Sequence, residues 1–420
     1  MTLPGGPLAY QSARLPQPLT EDEEGLLAFA ACGITGPVMA DMCYTLEGGG
    51  GILAGFAGRT VASGDALQTV SLIYTNDKGA WYLRRPADFA PKDLSELIGL
   101  SQGGQIQELH QRSAVQIRDG RVAPPKEPLF NINANRWSAY APGTTWFLPV
   151  NELTLMYING LLEIFNEHTG AFALDERAGF QPAGLRKFAR SRGGHLEDDP
   201  ARGRVVTVKH IETLVTEFVT IEQGMMLQNL GLMAQALGLG GFPSFANHEF
   251  AWFEALGFRM GRMPASRYLG AGPLVTLGLK LLGKDVDVPY PLGLEVNGQA
   301  ILKPYCPPYY SSMRQAVEAF VAFKFGQSGI YRSSETTTGW LESQAVRNAV
   351  PGPSEHAIEA TIAYCDYLWN RYGRFPVHLA PFRTVLGFQA CHLDPDFYAR
   401  FYRPEAISAT QREDFKRSAR

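Results

Sequence analysis

From Gln223 to His248 the chain carries no Lys, Arg, Asp or Glu, and apolar residues fall on every side of a helical wheel. This pattern predicts a long helix over His210 to Leu239 whose second half is enclosed by protein rather than half-exposed. Gly238, Gly240 and Gly241 stop it, since glycine adopts left-handed backbone angles without steric cost and lets another group approach the main chain, and a ligand is expected there. Two plainer readings stand beside this one: an ordinary core helix with a glycine cap, or a membrane span, which Gln228, Asn229 and Gln235 interrupt.

Elsewhere the pattern alternates between the two periods. Thr20 before Glu21, Asp22 and Glu23 caps a helix through Leu26, Leu27, Phe29 and Ala30 that ends at Gly33. Past the glycine run Gly48 to Gly51, two apolar segments, Val70 to Tyr74 and Ala80 to Leu83, read as a hairpin across Asn76 to Gly79. Residues 86–145 mix short helical and proline-broken pieces and read as an insertion, after which Trp146 to Val150 resumes a buried strand. Glu152 to His168 is amphipathic, with Leu155, Ile158, Leu162 and Phe165 on one side. Arg186 to Arg204 is charge-rich, either a solvated connection or a lid over a site that takes a phosphorylated cosubstrate. A short helix at Trp252 to Gly257 precedes Arg259, Arg262 and Arg267. Asn297-Gly298 marks a tight hairpin within Leu294 to Leu302, and helices follow over Met313 to Phe325 and Ser354 to Tyr372; the last dozen residues read as loosely held. The division this suggests is a core over residues 1–290 and a hairpin with mainly helical extension over 291–420.

Composition narrows the field. Hydrophobic residues at 45% and charged ones at 19% of 420 describe a globular chain, and a net charge of -3 argues against a nucleic-acid surface. Met1 to Pro7 shows no signal or anchor pattern, so a cytoplasmic protein is expected. Five scattered cysteines read as reduced thiols. His392, Asp394 and Asp396 suggest either a metal or, more simply, the cap of a helix starting near Phe397, and no metal is expected. Nucleophilic triads, a Walker loop and a Rossmann fingerprint are absent from the sequence.

Three short motifs remain. Tyr10, Gln11, Ser12, Ala13 and Arg14 precede the first helix and the Ala31 to Thr35 segment; Arg59 precedes Ala62-Ser63-Gly64-Asp65-Ala66-Leu67 and Gly79-Ala80-Trp81-Tyr82; and Gln228-Asn229-Leu230 leads into Ala236-Leu237-Gly238-Leu239-Gly240. In this order, over residues 10–258, they resemble the nitroreductase superfamily of FMN enzymes, in particular the branch that includes oxidases of azoline-bearing peptides. The resemblance implies an α+β fold, a mixed sheet flanked by helices with a long buried central helix, and a homodimer holding FMN at the subunit interface.

It further implies which residues meet the flavin. Tyr10, Gln11, Ser12, Arg14 and Arg262 are candidates for the phosphate, and Ser63, Gly64, Asp65, Gly240, Gly241 and Phe242 for the ring. Tyr305 and Tyr309, with Tyr310, are candidates for an aromatic wall over a small-molecule substrate. No catalytic side chain is required, because hydride moves to and from the flavin itself. The family's leading arginine falls here on Tyr10, the next position on Gln11, and a glycine becomes Asp65. Two functions are therefore expected: an FMN-dependent oxidoreductase, with NAD(P)H as one possible cosubstrate and O2 as an acceptor in the opposite direction, or a flavin- or partner-binding protein that has lost turnover.

Overall fold

A computed structural model describes residues 1–38, 57–63, 67–125, 140–245, 249–335 and 337–418. The glycine run at 48–51 and the ring candidates Gly64 and Asp65 lie outside them. The fold is mixed α/β, built on one antiparallel sheet of seven strands. In chain order these and the neighbouring strands are β1 (Val70–Thr75), β2 (Gly79–Leu83), β3 (Ala114–Asp119), β4 (Thr145–Glu152), β5 (Gly240–Phe245), β6 (Arg259–Pro264), β7 (Asp287–Val296), β8 (Gln299–Leu302), β9 (Phe382–Arg383) and β10 (Leu386–Cys391). The main sheet runs β5-β10-β4-β1-β2-β3, with β9 pairing to β4, while β6, β7 and β8 form a separate sheet.

Alternation along β1 and β4 sorts the core into two layers. Val70, Leu72, Tyr74 and Phe147 face α1 (Glu21–Cys32) and the later half of the long helix. Ile73, Trp146, Leu148 and Val150 face the opposite way, onto Trp252, Phe253 and Leu256. Thr20 caps α1 in a full capping box with Glu23. Between β2 and β3 lie α2 (Pro91–Gln102) and α3 (Ile106–Ser113), so the expected insertion returns an edge strand to the sheet rather than standing apart.

After α4 (Leu153–Ile164), capped by the Glu152 side chain, comes α5 (Val208–Leu237) of 30 residues. Its first half packs Ile211, Val215 and Val219 into a helical cluster with α4, α9 (Met313–Phe325) and α11 (Glu355–Tyr372), and its second half lays Met226, Leu227, Leu230 and Ala234 on the sheet. The expected full enclosure does not hold within one chain. Leu214, Phe218, Ile221, Met225 and Leu232 form an exposed row at spacings of three, four and seven, because the sheet covers only one side of the helix. Gly238 ends α5 at φ +80°, and a Cβ there would strike the Thr410 carbonyl.

The remaining helices are α6 (Glu249–Leu256), α7 (Ala265–Leu269), α8 (Pro273–Leu281), α10 (Ser343–Ala349), α12 (Pro395–Phe401) and α13 (Ala409–Ser418). Asn297 and Gly298, at φ 50° and 77°, make the turn between β7 and β8. The expected boundary at residue 290 is crossed by the main sheet, since β10 lies between β5 and β4. Nor is the C-terminus loose. Asp414 of α13 is fully buried, Thr410 donates to the Gln235 carbonyl, and Arg417 donates to the Leu237 carbonyl. Among the described residues, no helix is long and apolar enough to cross a membrane.

One charge cluster fastens α13 to α1. His392 Nε2 lies 3.2 Å from Glu23, and its Nδ1 lies 3.2 Å from Asp414. Burial opposes the charge on both Glu23 and His392, but their mutual bonding, with Thr20 and Asp414 assisting, brings the Glu23 carboxyl down to about 2 and the imidazole up to about 9. A protonated imidazolium thus occupies the place a cation would take between the two carboxylates. Asp394 meanwhile caps α12, as its position before Phe397 suggested.

The sign of each shift fixes the pH window. The His392 contribution is complete below 6.5 and is lost as pH rises through about 9; that of Glu23 is complete above 4.5 and is lost as pH falls through about 2. The melting temperature is therefore expected to be highest between these limits and to fall on the alkaline side. His392→Gln should melt lower at about pH 6 and lack the alkaline fall. A wild-type melting temperature that is flat from about pH 6.5 to 9.5 in differential scanning calorimetry would refute the cluster's role.

Candidate functional site

The turn that carries Ser63 is held from beneath by Glu222, which lies near the middle of α5 and is buried. Ser63 Oγ and Thr69 Oγ1 donate to its two carboxylate oxygens. Val70 N and Asn151 Nδ2 donate to Oε2 at 3.2 and 3.3 Å. Burial raises the Glu222 carboxyl, and the Ser63 and Thr69 bonds and the charge of Arg59 oppose the shift. Ser63 Oγ also accepts from Gln68 N at 3.0 Å, and Gln68 sits at φ 54°, a strained angle for a residue with a side chain. The Ser63 hydroxyl is thereby spent on Glu222 and Gln68.

The second ring group lies at the far end of α5. Gly240 and Gly241 pair with Cys391 and Ala390 of β10. Bare Cα atoms are needed there for packing: a Cβ on Gly240 would press on Cys391 Sγ at 3.2 Å, and one on Gly241 would meet the Phe388 ring at 2.5 Å. Phe242 is exposed on the same strand. Glu222 and Leu237 are separated by 15 residues of helix, roughly 22 Å. One chain therefore does not bring Ser63 and Gly240 onto a common ring.

The phosphate candidates gather at the Gly240 end, against the segment after β10. Tyr10 Oη donates to Asp394 at 3.2 Å, and Arg14 forks onto Asp396 through Nε at 2.7 Å and Nη2 at 3.0 Å. Ser12 Oγ accepts from Arg14 N, while Gln11 is exposed on a two-residue strand paired with Thr2. Arg262 stands elsewhere, on β6, exposed and 3.3 Å from Glu254. The Arg14 and Asp396 side chains are 38% and 53% exposed, so water screens the pair and a phosphate dianion can displace the carboxylate from this arginine. On that ground Arg14 is a residue that could hold an FMN phosphate, while Ser63 and Gly240 of one chain lie too far apart to meet one ring.

Next to Leu67, four residues past Ser63, opens a cavity of about 860 Å³ walled by Tyr305 and Tyr310, whose rings stack at 5.6 Å and 13°. Tyr305 is held by its own N–H, which donates to Thr154 Oγ1 at 2.7 Å. Tyr309 does not line this cavity. Its hydroxyl donates to Glu295 at 2.9 Å, and its ring covers Gly293 of β7, where a Cβ would collide with it.

Sequence reasoning missed the polar residues of this cavity. Glu152, with only 2% of its surface exposed, accepts from Thr154 N at 2.8 Å and Leu155 N at 3.1 Å, and burial pushes its carboxyl up to about 7. Tyr82 Oη donates to Asp88, which also pairs with Arg85 Nη2 at 3.0 Å. Glu152 had a visible signal as an acid immediately before an apolar helix, the cap position; Arg85 and Asp88 had none, since the cavity they share with the hairpin residues Val296 to Ile301 forms only in the fold.

Glu222→Ala leaves four donors around the Ser63 turn without their acceptor. At about 1–3 kcal/mol for an unsatisfied buried group, with partial relaxation, a total loss of about 3 kcal/mol is expected in urea unfolding, along with new proteolytic cleavage within residues 60–69. Wild-type stability in this variant would show that the clamp carries nothing. Compared with known proteins, the chain matches no family model and no curated protein.

Proposed function

We propose that the chain is an FMN-dependent oxidoreductase that works as a homodimer and takes a small organic substrate in the cavity next to Leu67. The observation that carries this reading is the exposed, charge-free row on α5, with one candidate ring group held at Glu222 beside the middle of the helix and the other just past its C-terminal end. Exposed positions from Phe218 to Ala236 contain no charged residue, with Gln228 near their middle. If two copies cross antiparallel there, Glu222 lies ~9 Å and the partner's Leu237 ~13 Å to the same side, so their axial separation falls from ~22 Å to ~5 Å. Ser63 of one copy and the Gly240 strand of the other then come within the span of a tricyclic ring.

When bound, FMN supplies hydride transfer to or from its N5 atom, with NAD(P)H or O2 as candidate partners for the second half-reaction. The chain's own residues position and protect. The Glu222 clamp fixes the turn, Arg14 exchanges Asp396 for the phosphate, and Tyr305 and Tyr310 give the substrate a flat apolar wall. Glu152 holds a proton up to about pH 7 at the cavity edge, where it can donate to a substrate oxygen or nitrogen. A second reading, a flavin- or partner-binding protein without turnover, draws its support from Asp394 and Asp396, two carboxylates at the phosphate end.

Three measurements separate the readings. The purified protein is expected to be yellow with FMN absorbance and dimeric by light scattering, and Ile221→Glu with Met225→Glu should yield colourless monomers. Arg14→Ala should weaken FMN retention by about 2 kcal/mol, roughly 30-fold. Bleaching on anaerobic mixing with NADPH or NADH supports the reductase direction; a yellow protein that turns over with neither nicotinamide nor O2 supports the binding protein. A colourless monomer that takes up no FMN overturns both flavin readings and leaves a partner-binding or scaffold role.

Glu152 supplies a further test in the pH profile of any turnover found. Because the proton is present below its raised value and lost above it, kcat should fall as pH rises through about 7. Glu152→Gln should lower kcat by roughly 100-fold and flatten that fall. An unchanged profile in the variant removes Glu152 from the chemistry.

A further inference from the structure

Two glycines with left-handed backbones make room for arginines around a second cavity. Gly270, φ +68°, caps α7, and a Cβ there would lie 2.9 Å from the Arg177 guanidinium. Gly373, φ +69°, caps α11, and a Cβ there would collide with Arg267. Both guanidinium groups border a cavity of about 460 Å³ that Lys280 of α8 and Arg371 of α11 also line. Four cations from four separate elements thus face one space, and no carboxylate lines it.

Nearby acids are engaged elsewhere. Asp175 accepts from the Tyr367 and Tyr372 hydroxyls at 2.8 and 2.7 Å and from Arg177 N at 3.0 Å, leaving Arg371 Nε at 3.7 Å. Glu176 pairs with His378 at 2.8 Å, and Asp285 accepts from both Ser266 N and Ser266 Oγ. Among the described residues, Arg177, Arg267 and Lys280 have no carboxylate within 4.0 Å.

Arg267, Lys280 and Arg371 are exposed and Arg177 is half-buried, so water screens the four; like charges around one cleft still repel one another, and a bound anion removes that repulsion while accepting forked hydrogen bonds. Several guanidinium groups around one centre suit the many oxygens of a phosphate dianion better than the two of a carboxylate. Beside the cavity, α8 buries none of its residues and leaves Leu274, Leu277 and Leu281 exposed, with Leu274 at 85%. From these observations we infer that the cavity is an anion site for the phosphate-class headgroup of an organic ligand, whose apolar remainder lies along α8. The inference does not rest on the flavin reading, and its cavity shares no lining residue with the one next to Leu67.

Isothermal titration calorimetry of the protein as purified, with pyrophosphate as the probe, tests the site. Wild type should bind, rising salt should weaken binding, and Lys280→Glu, on a helix that buries nothing, should reduce affinity by roughly tenfold or more without lowering the melting temperature. Co-sedimentation with vesicles identifies the source of the headgroup. Binding to vesicles containing phosphatidic acid but not to pure phosphatidylcholine, lost in Leu277→Glu with Leu281→Glu, assigns a phospholipid; pyrophosphate binding without sedimentation assigns a soluble phosphate ester. No pyrophosphate binding in the millimolar range together with no vesicle binding, or binding that Lys280→Glu leaves unchanged, overturns the proposal.

Discussion

Two carboxylates on one helix hold this molecule's loops in place. Glu222 gathers Ser63, Thr69, Val70 and Asn151, and three turns earlier Glu212 accepts from Val377 N at 2.8 Å, His378 N at 2.6 Å and the Tyr157 hydroxyl at 3.2 Å. Both are buried, and burial raises both, Glu212 to about 7. Placing such groups in a dry interior is costly, and the cost is offset only when every oxygen finds donors. Segments far apart in sequence must therefore arrive together: the Ser63 turn, β4 and the stretch before β9 all close on α5. The neighbouring Gln223 extends the grip, donating to Asn151 and accepting from Val385 N at 3.0 Å.

The same helix explains why part of the fold could be read from sequence and part could not. Thr20, Ser354 and the Asn297-Gly298 turn announce their elements because a cap or a tight turn is settled by a few adjacent residues. The apolar run after Gln223 announced a helix for the same reason. What it did not disclose is that the sheet takes one side only, since the number of faces a helix buries is decided by its neighbours. Nor could β10 be anticipated in the centre of the sheet: it pairs with β4 across more than two hundred residues, and nothing local distinguishes it from an edge strand.

The candidate site follows the same division. Tyr305 and Tyr310 were visible as an aromatic cluster, and the stacked wall they form comes from the turn they share. Tyr309, between them in type and place, points to β7 instead, because Gly293 there accepts a ring that no side chain would admit. Arg14 and Asp396 stand 382 residues apart, a separation at which charge pairing leaves no pattern in the chain. Asp65, the departure that bears most on a reduced flavin, lies outside the described residues.

The segment after β10 carries two kinds of electrostatic contact with opposite consequences. At His392 the ion pairs are buried, reaching Glu23 and Asp414 whose side chains are 8% and 0% exposed, and breaking such a contact leaves an uncompensated charge in the interior. A few residues later Asp396 meets Arg14 in the open, where water screens the attraction and either side chain can turn away at little cost. The backbone is thus pinned at 392 and its carboxylate at 396 remains exchangeable. On the proposed reading, a phosphate at Arg14 would displace one exposed side chain and leave β10 and β5 where they are. Placing the costly contact in the core and the cheap one at the surface lets Arg14 change partner while the strand beside it keeps its register.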